Sequence, residues 1–156
     1  MNINLVVVGK IKENYLKIAI EDFLKRIRPY SSIKITEIQS EILKDPSDTE
    51  KAKIIEAQKI NSLLNTNSFI VALDVKGQSF SSEEFAQKIK QLSSEGYNQM
   101  IFIIGGAVGL DTSILEKVHL RLSISKMTFT HQMVRLILLE QIYRGFKIIN
   151  NEPYHK

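Results

Sequence analysis

The sequence predicts an α/β fold, a sheet covered by helices. Short runs of β-branched and aliphatic residues alternate along the chain with longer segments of helical periodicity. Two of the helical segments open on a Ser-x-x-Glu capping signal. The 156 residues, 44% of them hydrophobic, suffice for a sizeable core. No Ser/Gly/Pro-rich linker and no internal repeat divides them, so residues 1–156 read as a single domain.

The elements follow in order. "INLVVV" is a short buried strand. "ENYLKIAIEDFLKRI" places apolar residues at 15, 16, 18, 19, 20, 23, 24 and 27, a broad helical face that Pro29 ends. "SIKITEIQ" alternates as a half-exposed strand does. The next helix starts in "DPSDTEKAKII", where Ser47 can cap and Glu50 can reach back. "SFIVALD" is a buried strand. "SFSSEEFAQKIKQLSSEG" carries the second capping box, Ser81 with Glu84. Phe80 and Phe85 stand at hydrophobic-staple positions, and Gly96 stops the helix. "MIFII" is a strand running into a Gly-rich turn, "LRLSIS" a short strand, and "QMVRLILLEQIYRGFKII" the last helix.

That last helix is apolar around most of its circumference, from Met133 to Phe146. Such a helix must be buried on nearly all sides. Two arrangements satisfy this: a central helix in a monomer, or one side on the sheet and the other on a second copy of the chain.

The absence of cysteine excludes disulfides, thiolate zinc sites and cysteine nucleophiles. His119, His131 and His155 have no metal-binding spacing, so no metal is expected; His119 reads as a surface residue. No G-x-S-x-G elbow marks a serine nucleophile. The N-terminus has no basic region before its short apolar run, Leu5–Val8, and no run reaches membrane-span length, so a cytoplasmic protein without a membrane partner is expected. The net charge of +4 is uneven. Residues 10–34 hold seven Lys/Arg against three acids, residues 35–116 seven against twelve, and residues 117–156 seven against two. Basic ends of this kind can attract phosphate backbones, or simply stay solvated.

Three segments are candidates for a site. "IIGGAVGL" lets backbone groups approach a ligand at a strand end, but its G-G-x-x-G spacing is neither a dinucleotide fingerprint nor a P-loop. A plain turn with Asp111 as N-cap accounts for it equally well. "SISKMTFTHQ" can hold an aromatic or sulfur-bearing ligand, or plug the core with its apolar residues. The tail "NNEPYHK" is either frayed or part of a site, and Arg144 can pair with Glu140 one turn earlier.

"IGGAVG", "SKMTFTHQMVRLILLEQIYRGFKI" and the terminal "EPYHK" together resemble, in order and spacing, the bacterial large-subunit rRNA methyltransferase H family of the SPOUT class, and the resemblance runs the length of the chain. It implies a deep C-terminal trefoil knot, an obligate homodimer, and S-adenosylmethionine as cofactor without metal. It also implies methylation of N3 of a pseudouridine in 23S rRNA of the ribosome. Carried over by position, it implies that Leu73, Gly105 and the stretch Ile124, Ser125, Lys126, Met127, Thr128 and Phe129 line the cofactor site. Tyr154, His155 and Arg144 would then be the catalytic residues, with the tail completing the RNA site at the dimer interface. A methyl on a sulfonium needs alignment rather than a metal. The imide proton must leave, with His155 or water as acceptor, and Arg144 can stabilise the anion. A non-catalytic ribosome-binding dimer and a SPOUT enzyme acting on tRNA are the competing readings.

Two positions depart from the family pattern. Thr130 stands where proline is common, which lowers the expected rigidity of the loop. Gly145 stands where alanine is common, at a cost of about 1 kcal/mol to the helix.

Overall fold

A computed structural model describes residues 1–155. Its elements are β1 (Asn2–Val8), α1 (Asn14–Ile27), β2 (Ile33–Ile38), α2 (Thr49–Asn61), β3 (Phe69–Ser79) and α3 (Ser82–Ser94). They continue with β4 (Gln99–Ile104), α4 (Thr112–Leu115), β5 (Leu120–Ser123) and α5 (His131–Ile149). The strand–helix alternation is the one the periodicity predicts, with α4 added as a single turn.

All pairings are parallel, and the strand order is β2-β1-β4-β3-β5. A parallel sheet needs cover on both faces, and the pleat sends alternate residues to opposite sides. Ile3, Leu5 and Val7 of β1, with Met100, Phe102 and Ile104 of β4, enter a core shared with α1, α3 and α5. Val6, Val8, Ile101 and Ile103 enter the opposite core, under Ala57 and Ile60 of α2 and Ile114 of α4. The continuous apolar runs of β1 and β4 are therefore two interleaved faces.

α5 packs against both α1 and α3. Leu138, Leu139 and Ile142 are buried there, each contributing about 1.5–3 kcal/mol. Met133, Leu136 and Ile137 stay half-buried on its outer side.

The caps divide. At α3, Ser81 accepts from the Glu84 N–H at 3.1 Å and Glu84 accepts from the Ser81 N–H at 2.6 Å, the full capping box. Phe80 and Phe85 share the apolar core beside it. At α2 the expected Ser47–Glu50 box does not form. Residues Pro46–Asp48 make a 3₁₀ turn, the Asp45 side chain accepts from the Ser47 N–H at 2.9 Å, and α2 starts only at Thr49. Pro46, with its fixed φ and no N–H, favours the first position of that turn.

β3 also runs further than "SFIVALD". Leu73 and Gln78 both pair with Leu122, so the strand bulges out and returns to β5. Gly77 permits the return: a Cβ there would lie 2.5 Å from the Arg121 carbonyl oxygen. Among the described residues, no helix is long and apolar enough to cross a membrane.

Candidate active site

The C-terminal ends of β4 and β5, with the bulge of β3 at Leu73–Val75, open into a cavity of about 400 Å³, within the size range of small-molecule sites. Open parallel sheets bind ligands at this edge. Each wall follows from local structure. β3 supplies Leu73, Asp74 and Val75; the turn after β4 supplies Gly105, Gly106 and Gly109; the loop after β5 supplies Ile124, Ser125, Met127, Thr128 and Phe129.

The Gly-rich turn is tight. A Cβ on Gly106 would sit 2.9 Å from Val8 Cγ1, and one on Gly105 3.1 Å from Leu110 Cγ. Neither position leaves room for a side chain, so backbone forms this part of the wall. Asp111 caps α4 behind the turn, accepting from the Ser113 N–H at 2.9 Å. In the loop, the Ser125 hydroxyl accepts from the Met127 N–H at 2.9 Å. Ser123 donates to the Ser125 carbonyl at 3.0 Å. These bonds leave Met127 74% exposed and Phe129 44% exposed at the mouth. Thr130 caps α5, its hydroxyl accepting from the Met133 N–H at 3.3 Å. Its φ of −62° is the one proline would impose, so the departure from proline gains a cap while keeping the conformation.

Seven of the eight residues expected around the cofactor line this cavity: Leu73, Gly105, Ile124, Ser125, Met127, Thr128 and Phe129. The eighth, Lys126, is exposed and lies outside the lining.

Two wall residues escaped the sequence reading. Asp74 pairs with Arg121, Nε to Oδ2 at 2.8 Å, and accepts from the Lys76 N–H at 2.9 Å. Burial pushes its carboxyl up, but that N–H and the guanidinium together hold it below the usual carboxylate range. His131 lines the inner wall, and a Cβ on Gly9 would lie 3.0 Å from its Nε2. Burial foremost, then the charges of Arg135 and Lys12, lowers its pKa. Behind it Arg135, 1% exposed, donates to Glu37 at 2.7 Å and to the Gly9 carbonyl. His131 and Arg135 were detectable in principle, since 131, 135, 138, 139 and 142 form one helical stripe continuous with the buried leucines; Asp74, on β3, carried no such signal.

Arg144, Tyr154 and His155 are together, but not at this cavity: none of the three lines it. The tail folds back on α5. Arg144 holds Glu140 through Nε at 3.1 Å and a second nitrogen at 2.5 Å. Tyr154 donates to the same carboxylate at 3.1 Å. The Arg144 guanidinium lies 4.9 Å from the Tyr154 ring centroid, and the rings of Tyr143 and Tyr154 meet edge-on at 4.8 Å. Burial first, then Glu140, raises the Tyr154 pKa, so the phenol keeps its proton and donates. His155 bridges Arg144, 3.3 Å from Nδ1, and Glu83, 2.6 Å from Nε2. A guanidinium only donates and a carboxylate only accepts, which fixes the tautomer: Nε2 carries the proton and donates to Glu83, and the Nδ1 lone pair accepts from Arg144.

His119 has a structural role beyond its exposed position. Its Nδ1 accepts from the Ile70 N–H at 3.0 Å and its ring stacks on Phe69, fastening the start of β3.

A family model described as "Predicted SPOUT methyltransferase" matches residues 1–155. A protein of Natranaerobius thermophilus named Ribosomal RNA large subunit methyltransferase H is 49% identical over 99% of this chain and 99% of its own length. Proteins of the same name from Halothermothrix orenii and Carboxydothermus hydrogenoformans are each 46% identical over 100% of both chains. In three dimensions, a solved structure titled as a probable methylase family protein from Haemophilus influenzae superposes with a TM-score of 0.62 at 14% identity. It covers 99% of this chain and 70% of that one.

Proposed function

The chain belongs to the SPOUT methyltransferase family, and from that premise we propose that it transfers a methyl group from S-adenosylmethionine to N3 of a pseudouridine in 23S rRNA of the assembled ribosome, in the cytoplasm. The observation that carries this reading is the cavity at the ends of β4 and β5 and the bulge of β3, walled by the Gly105–Gly109 turn and the Ser125–Phe129 loop.

The residues present fit the cofactor. Apolar Leu73, Leu122 and Ile124 suit an adenine ring, and the glycine backbone allows close approach. The carboxylate of Asp74, held ionised, suits a cationic ligand. Met127 and Phe129 give the mouth a polarizable, aromatic edge. When bound, S-adenosylmethionine supplies a methyl group on a sulfonium, an electrophile that needs no metal. The chain's own task is to hold the acceptor nitrogen in line and receive its proton.

Because the tail does not enter the cavity of its own chain, the reading requires a homodimer in which each tail completes the partner's site. The half-buried outer side of α5 (Met133 and Ile137), beside exposed Tyr15 and Ile18 of α1, is the surface for this association. The family reading carries with it a C-terminal trefoil knot. At the composite site, Arg144 turns from His155 Nδ1 to the base, and the freed Nδ1 takes the imide proton. Arg144 stabilises the negative charge on the base as the proton leaves. Lys126 at the rim contacts RNA phosphate.

The test joins calorimetry to methyl transfer. The purified protein binds S-adenosylmethionine, and ribosomes from a deletion strain gain one methyl on a large-subunit pseudouridine, read by mass spectrometry. Gly105→Val, which forces Leu110 and the Gly109 backbone on the cavity wall to shift, abolishes both. Cofactor binding without transfer to ribosomes, or transfer to tRNA alone, contradicts the reading.

A further inference from the structure

The tail is not a loose appendage: its root is locked to the far end of α1. Asn151 takes φ +53° just after α5, which turns the chain back. The Glu152 N–H then donates to the Lys147 carbonyl at 2.9 Å. The Glu152 carboxylate accepts from the Tyr30 hydroxyl at 2.6 Å and from Lys147 Nζ at 2.5 Å. Tyr30 lies just beyond α1, and its ring stacks on Phe146 at 5.7 Å with planes 8° apart. Lys147 Nζ stands 5.8 Å from the centroid of the Tyr143 ring, the ring that meets Tyr154. A contact path thus runs from α1 through Glu152 to the two residues at the tail's tip. Lys147 foremost, then Tyr30, holds the Glu152 carboxyl below the usual range, so the lock stays charge-assisted at neutral pH.

We propose that Glu152, clamped by Tyr30 and Lys147, is a positioning residue that presets the tail for methyl transfer. The proposal rests on the reading of the tail as catalytic. A short tail following a helix loses its order readily, and must be fixed again in every turnover if nothing holds the root. Pro153 restricts one φ, and the αL turn at Asn151 sets the direction, but a single turn cannot fix a tail against solvent. The clamp can, because Lys147 stands on α5 and Tyr30, just beyond α1, is held by its stack on Phe146. It costs the fold little: Glu152 is only partly buried, and its partners stay anchored by their rings without it.

The experiment compares Glu152→Gln, Tyr30→Phe, the double variant, and a chain ending at Pro153, all as full-length or truncated dimers acting on ribosomes. We expect kcat to fall on the order of 10- to 100-fold in Glu152→Gln and less in Tyr30→Phe. The double variant falls no further than Glu152→Gln, because the groups act as one unit. KM, cofactor affinity and melting temperature hold, and amide exchange quickens at residues 152–155. A wild-type kcat in Glu152→Gln alongside loss of activity in the truncated chain overturns the clamp and leaves the tail's role standing. Wild-type activity in the truncated chain overturns both.

Discussion

At the scale of single residues, the cavity's pH response belongs to His131. Burial, with Arg135 and Lys12 behind it, keeps its imidazole neutral below the range where a free histidine charges. The unfolded chain binds a proton there that the folded chain refuses. Stability from this group is therefore complete above the ordinary imidazole value and declines as pH drops through it. The same proton, once forced on, would place a cation on the cavity wall. Affinity for S-adenosylmethionine should then be flat from about pH 8 down past the ordinary imidazole value near 6.5, and weaken only at more acid pH. The uncharged thioether product should weaken less. In His131→Gln the two ligands should respond alike; calorimetry across pH in both proteins is the check. None of this was legible from His131 alone. A histidine after "MTFT" reads as a loop residue until its stripe with Arg135 and Leu138 is traced into the core. Gly105 and the Ser125–Phe129 stretch were legible only as a resemblance, because a G-G-x-x-G turn is compatible with many uses.

At the scale of elements, local chemistry decided what could be read. Of the serines before α3, Ser81 alone has a Glu three residues later, so the box it spells is the box that forms. "DPSDTE" offers Asp45, Ser47 and Asp48 as competing caps, and a proline between them; the 3₁₀ turn wins and the expected box is lost. The end of β3 was illegible for another reason: its return to β5 depends on the close approach at Gly77, a tertiary fact. α5 shows what a glycine in a helix can hide. A Cβ on Gly145 would meet Ile89 Cδ1 at 3.4 Å and Ala86 Cα at 3.7 Å, ordinary van der Waals contact. Gly145→Ala should therefore regain helix propensity without overpacking and stabilise the protein by up to about 1 kcal/mol, a rise in melting temperature of about 2–4 °C. A fall in melting temperature would mean that α3 and α5 approach more closely than these distances allow.

At the scale of the whole molecule, the all-round apolar character of α5 left two arrangements open in the sequence. Half of it is accounted for within one chain. Leu138 is 2% exposed and faces the core. The outer side at Met133 and Ile137 is half-buried by its neighbours and finishes its burial in the proposed dimer. Sedimentation should find the wild-type protein dimeric at micromolar concentration and Ile137→Glu monomeric yet folded, since a charge at a dry interface costs several kcal/mol. A monomeric wild type contradicts the composite site. The tail carries the central claim, because Arg144, Tyr154 and His155 are brought together by Glu140 and Glu83 away from the cavity they are proposed to serve. Deleting residues 154–156 removes two half-exposed described side chains and the terminal Lys156, which lies outside the described residues. The decisive measurement is methyl transfer to ribosomes by that truncated chain, with cofactor affinity and melting temperature taken on the same sample. The account predicts that transfer is lost while affinity is retained and the melting temperature moves little. Transfer at the wild-type rate would contradict it.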